Sequence, residues 1–102
     1  MSGTGDPSEE IARLTAETFE AERGKPLPLA GAPDAALTVV DVSRLAHGLR
    51  EGGAFSVLLE GPSATPLEQG LHEVLIAEKT LPLFLVPLLR DGDVMQYEAV
   101  FT

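Results

Sequence analysis

Two alternating apolar runs meet across a short polar turn near the C-terminus, and this feature constrains the fold more than any other. Leu83-Phe84-Leu85-Val86 and Val94-Met95-Gln96-Tyr97-Glu98-Ala99-Val100-Phe101 flank Arg90-Asp91-Gly92-Asp93. Successive strand side chains point to opposite faces, so Met95, Tyr97, Ala99 and Phe101 share one face, opposite Gln96, Glu98 and Val100. Asp-Gly between such runs tolerates the positive φ of a tight turn. The segment reads as an antiparallel hairpin.

Further strands follow from the same period. Ala36-Leu37-Thr38-Val39-Val40-Asp41-Val42 is aliphatic and β-branched, and the lapse of alternation at Val39-Val40 predicts a bulge or burial on both faces. Phe55, Val57 and Leu59 alternate with Ser56, Leu58 and Glu60, and Gly61-Pro62-Ser63-Ala64-Thr65-Pro66 ends that strand. From Gly70, His72, Val74 and Ile76 alternate with Leu71, Glu73 and Leu75. Both of these faces are part apolar, which suits a strand covered on both sides or a short helix.

The N-terminal third is less regular. Residues 1–7 read as a solvated, disordered tail, and residues 8–102 as one domain. Ser8 before Glu9, Glu10 and Ile11 is a good N-cap for a short helix from Ser8 to about Thr15. Beyond it Phe19 and Ala21 alternate with Thr18, Glu20 and Glu22, which suits a strand; the rival, which propensity favours, is one helix running on to Arg23 and stopped by Gly24, so residues 16–23 are open between the two. Gly24 to Asp34 is rich in proline and glycine and reads as a loop with room for a short edge strand at Leu27-Pro28-Leu29. His47 to Gly53 reads as a polar connection. Together these segments predict a mainly β fold: a small antiparallel barrel or sandwich of about six strands with one short N-terminal helix.

Set in order, several segments resemble a known family. Phe55-Ser56-Val57-Leu58-Leu59-Glu60-Gly61-Pro62, Leu67-Glu68-Gln69-Gly70, Leu83-Phe84-Leu85-Val86-Pro87 and, most specifically, Tyr97-Glu98-Ala99-Val100-Phe101 resemble a family of short bacterial proteins of unknown function. The likeness covers roughly residues 11–102. It implies one such domain per chain and an association with phage-tail-like components, and it carries no catalytic residues. Leu71-His72 stands where the family pattern implies a Thr-Tyr pair, so His72 replaces a core aromatic.

Composition excludes several chemistries. With 16 acidic and 7 basic residues the formal charge is -9, which repels phosphate backbones and anionic headgroups, so neither nucleic acid nor membrane is expected as a partner. The chain contains no cysteine, so disulfides, thiolate metal sites and cysteine nucleophiles are absent. The N-terminus shows neither a basic patch nor an apolar run, so cytoplasmic residence is the expectation.

Residues that could carry chemistry have simpler explanations. His47 falls in the polar connection, His72 on a strand face, and no nucleophile elbow accompanies either. Asp91 and Asp93 are explained by the hairpin turn, and calcium would need more oxygens than they supply. Glu60, Glu68, Glu73, Glu78 and Glu98 sit where solvated faces or loops are expected, away from the aromatics of sugar sites. Gly52-Gly53 and Gly3-Thr4-Gly5 lack the lysine of a phosphate-binding loop. No catalytic residue, metal ligand or cofactor is therefore expected, and the chain reads as a non-enzyme.

One surplus remains. Leu81-Pro82-Leu83-Phe84-Leu85-Val86-Pro87-Leu88-Leu89 holds more apolar side chains than one buried strand face can use. Burial on both faces is one outcome. The other is an interaction surface made by Leu81, Leu83, Phe84, Leu85, Val86 and Leu88, open to a protein partner or to self-association, including addition of a partner strand. The expected function is a non-enzymatic interaction or structural accessory module, with a small barrel binding an apolar ligand in its interior as the alternative.

Overall fold

A computed structural model describes residues 11, 13–45 and 53–102, the side chains of Pro33 and Asp34 excepted. The expected tail 1–7, the Ser8 start of the expected first helix, and the expected connection His47 to Gly53 as far as residue 52 lie outside the described residues. The strands are β1 (Pro26–Leu29), β2 (Ala32–Arg44), β3 (Phe55–Pro62), β4 (Gly70–Ile76), β5 (Lys79–Asp91) and β6 (Val94–Phe101), preceded by helix α1 (Ala16–Ala21). All ladders between them are antiparallel, and the order β1-β2-β3-β6-β5-β4 closes on itself. The mainly β expectation holds, and the ring is of the barrel kind.

The two long strands each serve two neighbours. In β2, Ala32 to Thr38 faces β1, and Thr38 to Arg44 faces β3. In β5, Lys79 to Leu85 faces β4, and Val86 to Asp91 faces β6. Shortly past each hand-over the register slips: Val40 is inserted between Val39–Leu59 and Asp41–Leu58, and Leu88 between Pro87–Tyr97 and Leu89–Gln96. A bulge bends a strand and increases its twist, which lets one strand leave one neighbour for another. The lapse at Val39-Val40 is this bulge. Closure between β1 and β4 is slight, resting on the Leu29–Val74 pair and an Ala30 N–H bond to Glu73 O of 3.0 Å.

Alternation fills the interior. Leu37 and Val39 of β2, Phe55, Val57 and Leu59 of β3, Val74 and Ile76 of β4, Leu81, Leu83 and Leu85 of β5, and Tyr97 and Ala99 of β6 are buried together. Among the described residues no polar or charged residue is buried, and the Tyr97 hydroxyl accepts a bond from Leu67 N–H at 2.8 Å. That bond ties the β3–β4 loop to the core. Gly61 stands where a Cβ would lie 2.9 Å from Leu37 Cδ2, so a side chain there would require Leu37 to shift within the core.

The choice between helix and strand left open over residues 16–23 resolves to a helix over Ala16–Ala21, and that helix is not continuous with the helical residues before it. Ile11 and Arg13 are helical, the chain leaves that conformation at Leu14-Thr15, and Thr15 starts α1 afresh. Its hydroxyl accepts from Thr18 N–H at 3.3 Å, while Thr18 Oγ1 accepts from Thr15 N–H at 3.2 Å. This reciprocal cap satisfies first-turn donors that a strand would have needed a partner for. Six residues are too few to hold a helix alone, so packing decides. Phe19 is fully buried against Phe55 and Phe101, with ring centroids 5.8 and 5.3 Å away, and Phe55 stacks on Phe101 at 4.6 Å. Arg44 of β2 donates to the Glu17 carboxylate, which pins the helix and holds that carboxyl below the usual range.

The loop expected over Gly24 to Asp34 is largely strand. β1 and β2 form a tight hairpin through Ala30-Gly31, Gly31 having φ of +78°. Between the Leu27–Leu37 and Leu29–Ala32 pairs, four residues of β2 lie against the single Pro28 of β1, and this stretch holds Pro33. Such an irregularity accommodates a residue that has no N–H to donate.

Candidate interaction surface

The nine-residue apolar surplus is divided between inside and outside. Leu81, Leu83 and Leu85 point into the core, so half of the expected interaction surface is corrected to barrel interior. Val86 is half-buried, while Phe84 and Leu88 are exposed, as is Leu89. Burial of this segment on both faces is not what forms. The outer face of β4 behaves likewise, since Leu71 and Leu75 are exposed and Val74 and Ile76 are not.

Register brings the outer residues together. Leu71 of β4 lies opposite Phe84 of β5. Val86 lies opposite Glu98, which sets Val100, two residues on, level with Phe84 on the β6 side. Leu71, Phe84 and Val100 thus form an apolar row across three strands, and they are 68%, 51% and 51% exposed.

Beneath that row the sheet parts. Among the described residues the β5–β6 ladder stops at Val86–Glu98, so Leu81 to Leu85 have no ladder partner on β6. A cavity of about 390 Å³ opens at this seam, lined by Ile11, Leu71, Pro82, Leu83, Phe84, Val100 and Phe101. Its floor is made by the inward side chains Leu83 and Phe101, and its walls by the exposed row. A second cavity, of about 290 Å³, sits where β2 changes neighbours, and it is bordered by Glu60 and Asp93. The first of these seams is apolar and the second acidic.

Charge surrounds the apolar row unevenly. Glu73 follows Leu71 on the outer face of β4, and Glu98 precedes Val100 on that of β6. Because β4 and β6 both run antiparallel to β5, these carboxylates lie on opposite sides of the row. Arg23 is committed elsewhere, 3.2 Å from Glu20 and 3.6 Å from Asp41, and Arg44 is committed to Glu17. The basic residue nearest the lining in sequence is Arg13.

The remaining candidates stay apart. His72 is half-buried rather than in the core, and its Nε2–H donates to Glu68 O at 2.6 Å. Asp91, Gly92 and Asp93 serve the hairpin: Asp91 pairs with Val94, and Gly92 has φ of +62°. The central pair is therefore Gly92-Asp93, one residue later than the Asp-Gly pattern suggests, with glycine at the first central position. Ser63 fastens this turn, its hydroxyl donating to Gly92 O at 3.0 Å and its N–H to Asp93 O at 2.8 Å. Glu60 accepts from Gln96 Nε2 at 3.1 Å across β3 and β6. Among the described residues no three His, Asp or Glu side chains converge as a metal site, and no helix is long and apolar enough to cross a membrane.

Sequence reasoning missed Leu71, Val100 and Ile11 as parts of the surface. Leu71 and Val100 were legible as apolar residues on the less apolar face of their strands, but only pairing shows that they adjoin Phe84.

A family model described as a domain of unknown function (DUF6916) matches residues 14–101. Comparison with curated proteins and with solved structures returns no match.

Proposed function

The chain belongs to the DUF6916 family of domains of unknown function, and from that premise we propose that it is a non-enzymatic interaction module that docks protein through the Leu71–Phe84–Val100 face. The observation that carries this reading is the apolar row lying over an apolar cavity at the β5–β6 seam. Covering one large apolar side chain contributes roughly 1.5–3 kcal/mol, so three neighbours can anchor a partner. The inward side chains already have their partners within the barrel, which leaves the outward row for another molecule.

The alternative, an apolar ligand inside the barrel, has less support. Leu27, Leu37, Leu59, Leu85 and Tyr97 occupy the interior and are essentially fully buried. Small barrels are ordinarily filled in this way. The tail-like setting implied by the resemblance gains no support from the comparisons.

The test is site-specific photocrosslinking in the source cell. A photoreactive phenylalanine analogue in place of Phe84 is expected to give a discrete covalent adduct with protein. The same analogue in place of Ser43, on the outer face of β2, is expected to give none. An empty result at position 84 in a folded protein overturns the reading.

A further inference from the structure

The two acidic residues beside the apolar row indicate what kind of partner suits it. A strand advances about 3.3 Å per residue, so Glu73 stands ~7 Å from Leu71 and Glu98 ~7 Å from Val100. They do so on opposite sides of the row, because β4 and β6 run the same way. An apolar segment crossing the row along the strand direction therefore meets a carboxylate before and after its anchor. We propose that the seam binds an extended protein segment whose large apolar side chain enters the cavity between Pro82–Phe84 and Val100–Phe101, and whose flanking lysine or arginine residues pair with Glu73 and Glu98. This rests on the docking reading given above and names the chemistry of the partner.

A second copy of the chain fits less well. Each copy carries a formal charge of -9 and would bring Glu73 and Glu98 against a like-charged neighbour. Like charges close to an interface oppose association, whereas opposite charges speed and orient it. Self-association on this face would strengthen as salt rises, and docking of a basic-flanked segment would weaken. The sign of the salt dependence separates the two.

The experiment uses the full chain and two labelled synthetic peptides of alternating valine and threonine around a central phenylalanine, one with a lysine at each end and one with a glutamate at each end. By fluorescence anisotropy the lysine-ended peptide is expected to bind about tenfold tighter or more. Its affinity is expected to fall several-fold between about 0.05 M and about 0.5 M salt. Glu73→Gln with Glu98→Gln should remove most of the preference between peptides, and Phe84→Ser should abolish binding of both, each variant keeping the parent's circular dichroism spectrum. Equal affinity for the two peptides, undiminished preference in the double glutamine variant, or no binding at all overturns the proposal. Sedimentation showing a dimer that Phe84→Ser dissolves, without peptide preference, also overturns it but leaves the docking face standing. An empty photocrosslinking result at position 84 removes both.

Discussion

Ala77 and Glu78 show how a local conformation can be imposed by its surroundings. They form the two-residue turn between Ile76 and Lys79, with φ of +49° and +70°. Two positive values in succession define the turn that matches strand twist, and Asn-Gly is its usual occupant. A side chain in this region costs roughly 1–2 kcal/mol, so the β4–β5 ladder holds these residues where they would not settle alone. Glu78→Gly is therefore expected to stabilise the protein by about 1 kcal/mol, read as a higher urea midpoint at unchanged slope. No gain would mean that the conformational freedom glycine adds to the unfolded chain offsets the relief. Sequence reading could not find this turn, because neither residue is a turn former and the ladder alone dictates the geometry.

At the level of elements, β5 puts neighbouring residues to opposite uses. Leu83 faces the core and Phe84 faces solvent. Leu83→Ala is expected to cost about 2–5 kcal/mol, while Phe84→Ala costs less than about 1 kcal/mol, both measured by chemical denaturation. Comparable losses would place Phe84 inside the packing and remove the docking face. The strand pattern was legible here because alternation survives even where both faces are apolar. Its outer face was not, since an exposed leucine and a covered one are the same letter, and only the Leu71–Phe84 register distinguishes a patch from scattered apolar residues. The Gly92 hairpin and the Val40 bulge were legible because each breaks the alternation or carries a turn residue. Helix α1 was legible only as one of two readings, because Phe19 and Ala21 mimic a strand face; the Thr15–Thr18 cap decides for the helix.

For the whole molecule, the choice between barrel and sandwich reduces to how β2 and β5 are shared. One layer joins β1 and β4 to the first halves of the long strands, and the other joins β3 and β6 to their second halves. The ring is continuous, yet its two layers meet only through strands that bend, and both seams carry a cavity. Alternation is the same in either architecture, so the sequence could not separate them. Amide exchange is expected to reflect this division. Ala30 N–H, at the slight β1–β4 closure, should exchange at least about tenfold faster than Val57 and Ala99, paired in the middle of the β3–β6 ladder. Equal protection at these sites would show that the closure is as firm as the ladders.

The slight closure also bears on the order in which the ring assembles. The β1–β2, β4–β5 and β5–β6 pairs are joined by two-residue turns, so each can zip locally at little cost in loop entropy. Leu29 and Val74, by contrast, are distant in sequence and gain only one ladder pair when they meet. Contacts with that balance reward the chain only after the rest is built. Folding should accordingly run from hairpins, through β3 against β6, to the β1–β4 junction as its last event, leaving mutations at that junction to change the unfolding rate rather than the folding rate.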